Sequence, residues 1–120
     1  LTAPARAESS QGGPRMTKCI EANGWVFQND AAYIRIEHDE DLSSWSTTRQ
    51  IKVKSKAGNV DLTLTASLYA GDTDNRTLEA RVTASTLTDL GEHKAWGYVA
   101  DATGGFHFGP ITFPVLEVAF

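Results

Sequence analysis

The chain has 120 residues, which is enough for one domain with a single hydrophobic core. It carries 15 acidic and 11 basic residues and a formal net charge of -4, so it lacks the basic surplus with which nucleic-acid-binding domains attract phosphates, and no nucleic-acid partner is expected. The single cysteine, Cys19, excludes an intramolecular disulfide and a multi-cysteine zinc site.

Residues 1–15, LTAPARAESSQGGPR, combine proline, alanine, serine and glycine without periodicity, as is typical of a flexible arm. They lack the apolar segment of a signal peptide. Three interpretations stay open: a leader left over from cloning, a processed extension, or an arm that orders on a neighbouring subunit. Arg6 and Arg15 are the candidate interaction residues of this arm. Residues 16–120 are expected to form the single folded domain.

The first part of the domain predicts short strands. Residues 17–21 and 25–28 are predicted strands separated by Asn23-Gly24, a dipeptide typical of β-hairpin turns. Residues 32–38 alternate apolar and polar side chains and predict a third strand. The acidic turn at residues 38–41 has neither the spacing nor the glycine of a calcium loop, so it is expected to be solvated.

The clearest pattern in the chain is residues 60–70, VDLTLTASLYA, where every second residue is apolar. This alternation predicts a half-buried central strand whose apolar face needs a second sheet to cover it. Residues 45–55 are predicted to pair with it as a hairpin, through the turn at residues 56–59.

Three lysines, Lys52, Lys54 and Lys56, alternate along the outward face of the 45–55 strand and the turn after it. Such a row is compatible with an anion or nucleic-acid patch. It is more typical of a solvated strand face, or of an edge strand protected against pairing with other chains, and this second interpretation is the expected one.

Residues 78–84 alternate again and predict a further strand. Ser85 is expected to cap one helical turn that Gly91 closes. Leu87 and Leu90, three residues apart, would then face inward.

The last part of the chain predicts a strand over residues 93–100, a turn over residues 101–105 and a return strand over residues 106–113. Gly109-Pro110 is expected to interrupt the pairing of the return strand, because proline donates no hydrogen bond and glycine often marks a bulge. Pro114 permits an edge position only. The apolar C-terminus is expected to dock on the domain or on a neighbouring subunit.

No motif for catalysis, for a cofactor or for a metal is recognisable. The three histidines, at positions 38, 93 and 107, lie on different predicted strands without paired spacing. There is no nucleophile elbow, phosphate-binding loop or dinucleotide fingerprint. No run of residues approaches the about 20 apolar residues that span a bilayer, so no membrane partner is expected. Aromatic residues at alternating strand positions are expected to lie in the core. The alternative is that they form a sugar-binding platform, for which there are four candidates: Trp25, Trp45, Trp96 and Tyr98.

From residue 29 onward, the order of these patterns resembles the small β-sandwich domain that opens the upper baseplate proteins of tailed phages and recurs in other phage tail and virion proteins. The resemblance begins with Asn29-Asp30 before YIRIEHD, then DLSSW leading into RQIKVK, and the Leu-Thr-Ala segment of the 60–70 strand. It continues with Arg81-Val82-Thr83 and TLTDLG before WGYVAD, then Gly104-Gly105 leading into a strand with Gly109, and the terminal ITFPVLEV. The matching stretches together extend over roughly three quarters of the chain, and each of them is short. The chain departs from the pattern at Asn29-Asp30, where Gly-Asp is expected. The resemblance implies a virion protein without catalytic residues.

The expected fold is an all-β, immunoglobulin-like antiparallel sandwich of about seven to nine strands. The expected function is a non-enzymatic structural role in a tailed-phage virion, in the tail or baseplate, through packing against other virion proteins and through homo-oligomerisation. A capsid decoration protein and a secreted carbohydrate-binding module are the alternatives, and an enzyme is the weakest one. Besides the two arginines of the arm, the candidate interaction residues are Trp25, Trp45 and Phe120.

Overall fold

A computed structural model describes residues 18–22 and 24–118 of the chain. The predictions for residues 1–15, and for Phe120, lie outside these ranges.

The described residues form strands that lie in two sheets. In chain order the strands are β1 (Lys18–Ile20), β2 (Val26–Phe27), β3 (Ala32–Glu37), β4 (Thr48–Ser55), β5 (Asp61–Thr65), β6 (Ser67–Leu68), β7 (Thr77–Val82), β8 (Gly91–Asp101) and β9 (Gly104–Leu116). The first sheet has the order β1-β3-β7-β6 and the second has the order β2-β9-β8-β4-β5. These ranges contain no helix that is long and apolar enough to cross a membrane. The chain is therefore all-β and sandwich-like, as the alternating patterns predicted.

The core lies between the two sheets. The first sheet contributes Ile34 and Ile36 of β3 to this core, and the second sheet contributes Ile51 and Val53 of β4. The neighbours of these residues along each strand face outward, because successive side chains of a strand point to opposite faces. Phe113 of β9 is the largest fully buried side chain. Burial of these apolar surfaces is the main stabilising contribution to the fold.

The stretch at residues 60–70 pairs with β4 as predicted, but its central position was wrong. β5 is the edge strand of the second sheet, and Leu62 and Leu64 are only half-buried. The chain leaves β5 at Ala66, whose N–H donates to the carbonyl oxygen of Arg49 at 2.9 Å, and it then joins the other sheet as β6. The alternation of apolar and polar residues shows which face of a strand is buried. Whether the strand is central or at an edge depends on which other strands pair with it, and those can be far away in the sequence.

The predicted hairpin at the start of the domain was also wrong. β1 pairs in parallel with β3 in the first sheet, and β2 pairs in parallel with β9 in the second. Between them, the N–H of Gly24 donates to the carbonyl oxygen of Glu21 at 2.8 Å. This turn moves the chain from one sheet to the other and does not fold β2 back onto β1.

The helical turn predicted after residue 84 does not form. Ser85 has a φ of 66° and its N–H donates to the carbonyl oxygen of Asn29 at 2.8 Å. The carbonyl oxygen of Leu87 accepts the N–H of Asn29 at 3.0 Å. These two bonds fix the segment in a non-helical conformation against the chain that follows β2. Leu87 is buried, but Leu90 is 46% exposed, so the inward position predicted for Leu90 was wrong.

The pairing of β8 with β9 is interrupted where the sequence predicted it. Ala95 faces Ile111 but Gly97 faces Phe108, so two residues of β9, Gly109 and Pro110, lie opposite the single residue Trp96 of β8, and the one extra residue forms a bulge. The ring of Phe108 packs directly over Gly97, where a Cβ atom would collide with it. This close approach explains a glycine in the middle of a long strand.

Candidate functional site

Of the five candidate interaction residues, Trp25 and Trp45 lie within the described ranges, and they have different surroundings. Arg6, Arg15 and Phe120 lie outside the described ranges. Trp25 immediately precedes β2 and is 39% exposed. Trp45 is half-buried and its ring packs edge-on against Phe106, with ring centroids 5.1 Å apart. Trp45 therefore contributes mainly to the packing of the core.

The ring pairs that include Trp25, Trp45 and Tyr98 do not form a flat platform for a sugar. Trp25 meets Phe27 at an interplanar angle of 72°, and Trp45 meets Phe106 at 86°. Tyr98 is tilted by 40° against His107 on the outer face of the second sheet. Because a sugar ring stacks on rings that share one plane, these pairs do not favour the carbohydrate-binding alternative.

An apolar end patch lies where β2 meets the end of β9, and we define it as Trp25, Phe27, Leu90 and Leu116. Phe27 is the register partner of Leu116, and the rings of Trp25 and Phe27 are 5.0 Å apart. The loop that carries Leu90 is held beside β2 by the side chain of Gln28, whose Nε2 donates to the carbonyl oxygen of Thr88 at 2.8 Å. Clusters of exposed apolar side chains typically mark surfaces that contact other molecules.

A basic groove lies next to this patch on the outer face of the second sheet. It has a volume of about 420 Å³ and is lined by Lys54, Ser55, Lys56, Glu92, Lys94 and Trp96. Lys54 and Lys94 are direct partners across β4 and β8. Like charges in this position repel one another, so an anionic group bound between them would be stabilised.

The lysine row was interpreted from the sequence as a solvated face or a protected edge. The edge interpretation was wrong, because β4 lies between β5 and β8. Lys52, farther along the same face, lies over the ring of Tyr98 at 5.2 Å from its centroid. Sequence reasoning missed Lys94 and Trp96 as parts of this groove, because they belong to β8 and reach it only through strand pairing.

A hydrogen-bonded turn supports the floor of the groove. The carboxylate of Asp89 accepts the Ser55 hydroxyl at 2.5 Å, the backbone N–H of Asn59 at 3.0 Å and its Nδ2 at 3.1 Å. The Ser55 hydroxyl in turn accepts the N–H of Val60 at 3.1 Å. The bond from Ser55 contributes most to lowering the pKa of Asp89 below its ordinary value of 3.8.

Replacing Asp89 with alanine is expected to destabilise the protein at neutral pH and to matter less in acid. The pKa of Asp89 is lower in the folded chain than in the unfolded one, so its charged form stabilises the fold above pH 3.8. That contribution is lost as the pH falls below this value. Thermal unfolding of D89A and the wild type, followed from pH 7 downward, should show a stability gap that narrows in acid. A gap that is constant with pH would contradict this role.

An acidic end lies at the opposite end of the sandwich, and we define it as Asp39, Glu40, Asp41, Asp72 and Asp74. These residues occupy two loops, one after β3 and one before β7. Two backbone hydrogen bonds join the loops: the N–H of Leu42 donates to the carbonyl oxygen of Asn75 at 2.7 Å, and the N–H of His38 donates to that of Arg76 at 2.8 Å.

The acidic end is held in place by packing and by local hydrogen bonds. The ring of His38 packs against Phe106, near the start of β9, with 5.1 Å between the ring centroids. The basic groove lies beside the start of β8. Because β8 and β9 are antiparallel, these two positions are at opposite ends of the sheet. The carboxylate of Asp72 accepts the hydroxyl of Thr77 at 2.7 Å, which is the main reason that the pKa of Asp72 is lowered. Its negative charge is therefore retained to a lower pH than that of an ordinary aspartate.

The three histidines each pack against an aromatic ring. His93 is buried and stacks on Phe113, whereas His38 and His107 pack against different aromatic rings. Within residues 18–22 and 24–118, no group of three or more histidine, cysteine or acidic side chains is placed to hold a metal ion.

No family model matches the chain, and a search of curated proteins finds no significant relative.

Proposed function

We propose that this domain is a non-enzymatic structural protein of a tailed-phage virion, a tail or baseplate component that acts by packing against other virion proteins and against copies of itself. The observation that carries the proposal is the apolar end patch, where Trp25, Leu90 and Leu116 are 39%, 46% and 40% exposed. The sequence resemblance to phage β-sandwich domains is the reason for proposing that this packing takes place in a phage particle.

The patch has the composition of an interface centre. Aromatic side chains are enriched in the cores of protein interfaces, and tryptophan is among the residues that contribute most binding energy. Trp25 is anchored on one side by Phe27, at 5.0 Å between ring centroids, and on the other by Lys18, whose Nζ lies 3.9 Å from the ring centroid. A ring held in this way loses little conformational freedom when a partner covers it.

The proposal is tested on particles of a phage whose genome encodes the chain. Purified virions are separated into heads and tails, and the protein is quantified in each fraction by mass spectrometry. We expect it in the tail fraction at a fixed copy number per particle. Its presence in heads alone would replace the tail assignment with capsid decoration, and its absence from particles would overturn the virion role.

A matched pair of variants tests whether the patch is the surface that packs. Trp25→Ala combined with Leu116→Ser removes two exposed apolar side chains and is expected to reduce incorporation into particles. Thr63→Ala combined with Thr65→Ala changes exposed residues on β5, at the other edge of the same sheet, and should leave incorporation unchanged. Equal incorporation of both variants would contradict the assignment of the patch.

A further inference from the structure

We propose that copies of this chain associate head to tail, with the acidic end of one copy bound in the basic groove of the next. This inference rests on the proposed function as an assembly protein, and it specifies the partner and the geometry of one contact.

The first observation is the separation of charge along the molecule. The chain has five lysines, and four of them lie on or beside the outer face of the second sheet: Lys52, Lys54, Lys56 and Lys94. The exposed carboxylates Asp39, Glu40, Asp41 and Asp74 lie in the two loops at the other end. Two positive charges lie there as well, Arg76 in the second loop and Arg49, whose Nη2 donates to the carbonyl oxygen of Ser43 in the first loop at 3.3 Å. A chain with a net charge of -4 thus presents one basic surface and one strongly acidic surface.

The second observation is that the groove lysines form no ion pair with any other residue that the structure describes. The ion pairs of the described residues join Arg35 to Glu21 and Glu79, on the first sheet, and none includes Lys54, Lys56 or Lys94. Lys54 and Lys94 are direct partners across β4 and β8. Two carboxylates lie beside them, Asp61 opposite Lys54 on β5 and Glu92 in the groove, but neither forms an ion pair with these lysines. A carboxylate supplied by another molecule would relieve this repulsion and gain attraction from both ammonium groups.

The third observation concerns the surroundings of the groove. Glu92, which lines it, is the register partner of Pro114, two residues before Leu116 of the apolar end patch. A neighbour seated in the groove would therefore also cover part of the patch. Exposed ion pairs contribute only about 0–1 kcal/mol each, so the apolar area adds to the affinity, but it does not hold the copies together without the charges.

The geometry defines the symmetry of the assembly. The two contacting surfaces are different and lie at opposite ends of the sandwich, so the contact is heterologous. A heterologous contact leaves one free groove and one free acidic end on every dimer, and it continues until a ring closes or a filament grows. Copies with a net negative charge repel one another in other orientations, which favours this one.

Sedimentation velocity and light scattering of the full chain test the proposal as a function of salt. We expect association at about 0.01 M ionic strength, where the Debye length is about 30 Å, and dissociation toward monomers at about 1 M, where it is about 3 Å. Strict monomers at low salt and high protein concentration would overturn the proposal, as would association that salt does not weaken.

Two neutralising variants test the two surfaces separately. Lys54→Gln with Lys94→Gln removes the groove charges, and Asp39→Asn with Glu40→Gln removes part of the acidic end. All four side chains are exposed, so the fold should be retained, and thermal unfolding checks this. Each variant alone is expected to be monomeric. An equimolar mixture is expected to stop at dimers, because only the first variant has an intact acidic end and only the second has an intact groove.

The control is Arg81→Gln, which removes an exposed positive charge on the first sheet and should leave association unchanged. If the mixture stays monomeric, or if either variant associates like the wild type, the head-to-tail contact is wrong. The outcome is separate from that of the particle experiment. A protein found in tails whose association is insensitive to salt would overturn this inference alone, and one that associates as described but is absent from particles would overturn the virion role alone.

Discussion

Phe113→Ala is expected to lower the free energy of unfolding by about 3–5 kcal/mol, the usual range for a buried phenylalanine. Phe113 is fully buried, and its ring stacks on that of His93 at an interplanar angle of 25°, with centroids 5.4 Å apart. The loss combines the apolar area removed with the cavity left between the sheets. Since domains of this kind have a total stability of about 5–15 kcal/mol, the variant would be marginally folded.

Urea unfolding followed by tryptophan fluorescence measures this loss. The matched control is Thr112→Ala, the adjacent residue of β9, which is exposed and should change the stability by no more than about 0.5 kcal/mol. A loss below about 1 kcal/mol for Phe113→Ala would mean that this part of the interior is not packed as described.

Local alternation was enough to predict where the long strands lie and which of their faces are buried. Residues 32–38 correspond closely to β3, and residues 93–100 lie within β8. The reason is physical: with one face on the core and one in water, a period of two is imposed on the residues themselves.

The assignment of strands to sheets was not predictable in the same way. Asn23-Gly24 is a strong local turn signal, yet β1 and β2 do not pair with each other: β1 pairs with β3, and β2 pairs with β9, at the far end of the domain. The pattern at residues 60–70 likewise contains no mark of the crossing at Ala66. Pairing partners are selected by contacts that involve the whole core, and a single stretch of sequence does not contain them.

The two charged surfaces show the same limit. The lysines of β4 were evident as a row, but the groove exists only because β8 places Lys94 opposite Lys54. The acidic turn at residues 38–41 was evident too, whereas its proximity to Asp72 depends on the hydrogen bond from Leu42 to Asn75. Charged residues can be counted in a sequence, but their clustering on a surface follows from the topology.

The second large effect is expected within the loop between β7 and β8, where Leu87 is fully buried and Leu90 is 46% exposed. Leu87→Ala should lower the free energy of unfolding by about 2–5 kcal/mol, because it removes a packed side chain and leaves a cavity. Leu90→Ala removes the same atoms from a solvated position and should change the stability by no more than about 0.5 kcal/mol. The same urea unfolding measurement compares the two variants.

This pair distinguishes the observed loop from the helical turn expected from the sequence. In a helical turn closed by Gly91, both leucines would face the core and both substitutions would be costly. In the observed loop, the backbone bonds between Asn29 and the segment 85–87 turn only Leu87 inward. Similar losses for the two variants would therefore favour the helical arrangement. A large loss for Leu87→Ala alone would leave Leu90 available to the apolar end patch, where truncating it should weaken association between copies without loosening the fold.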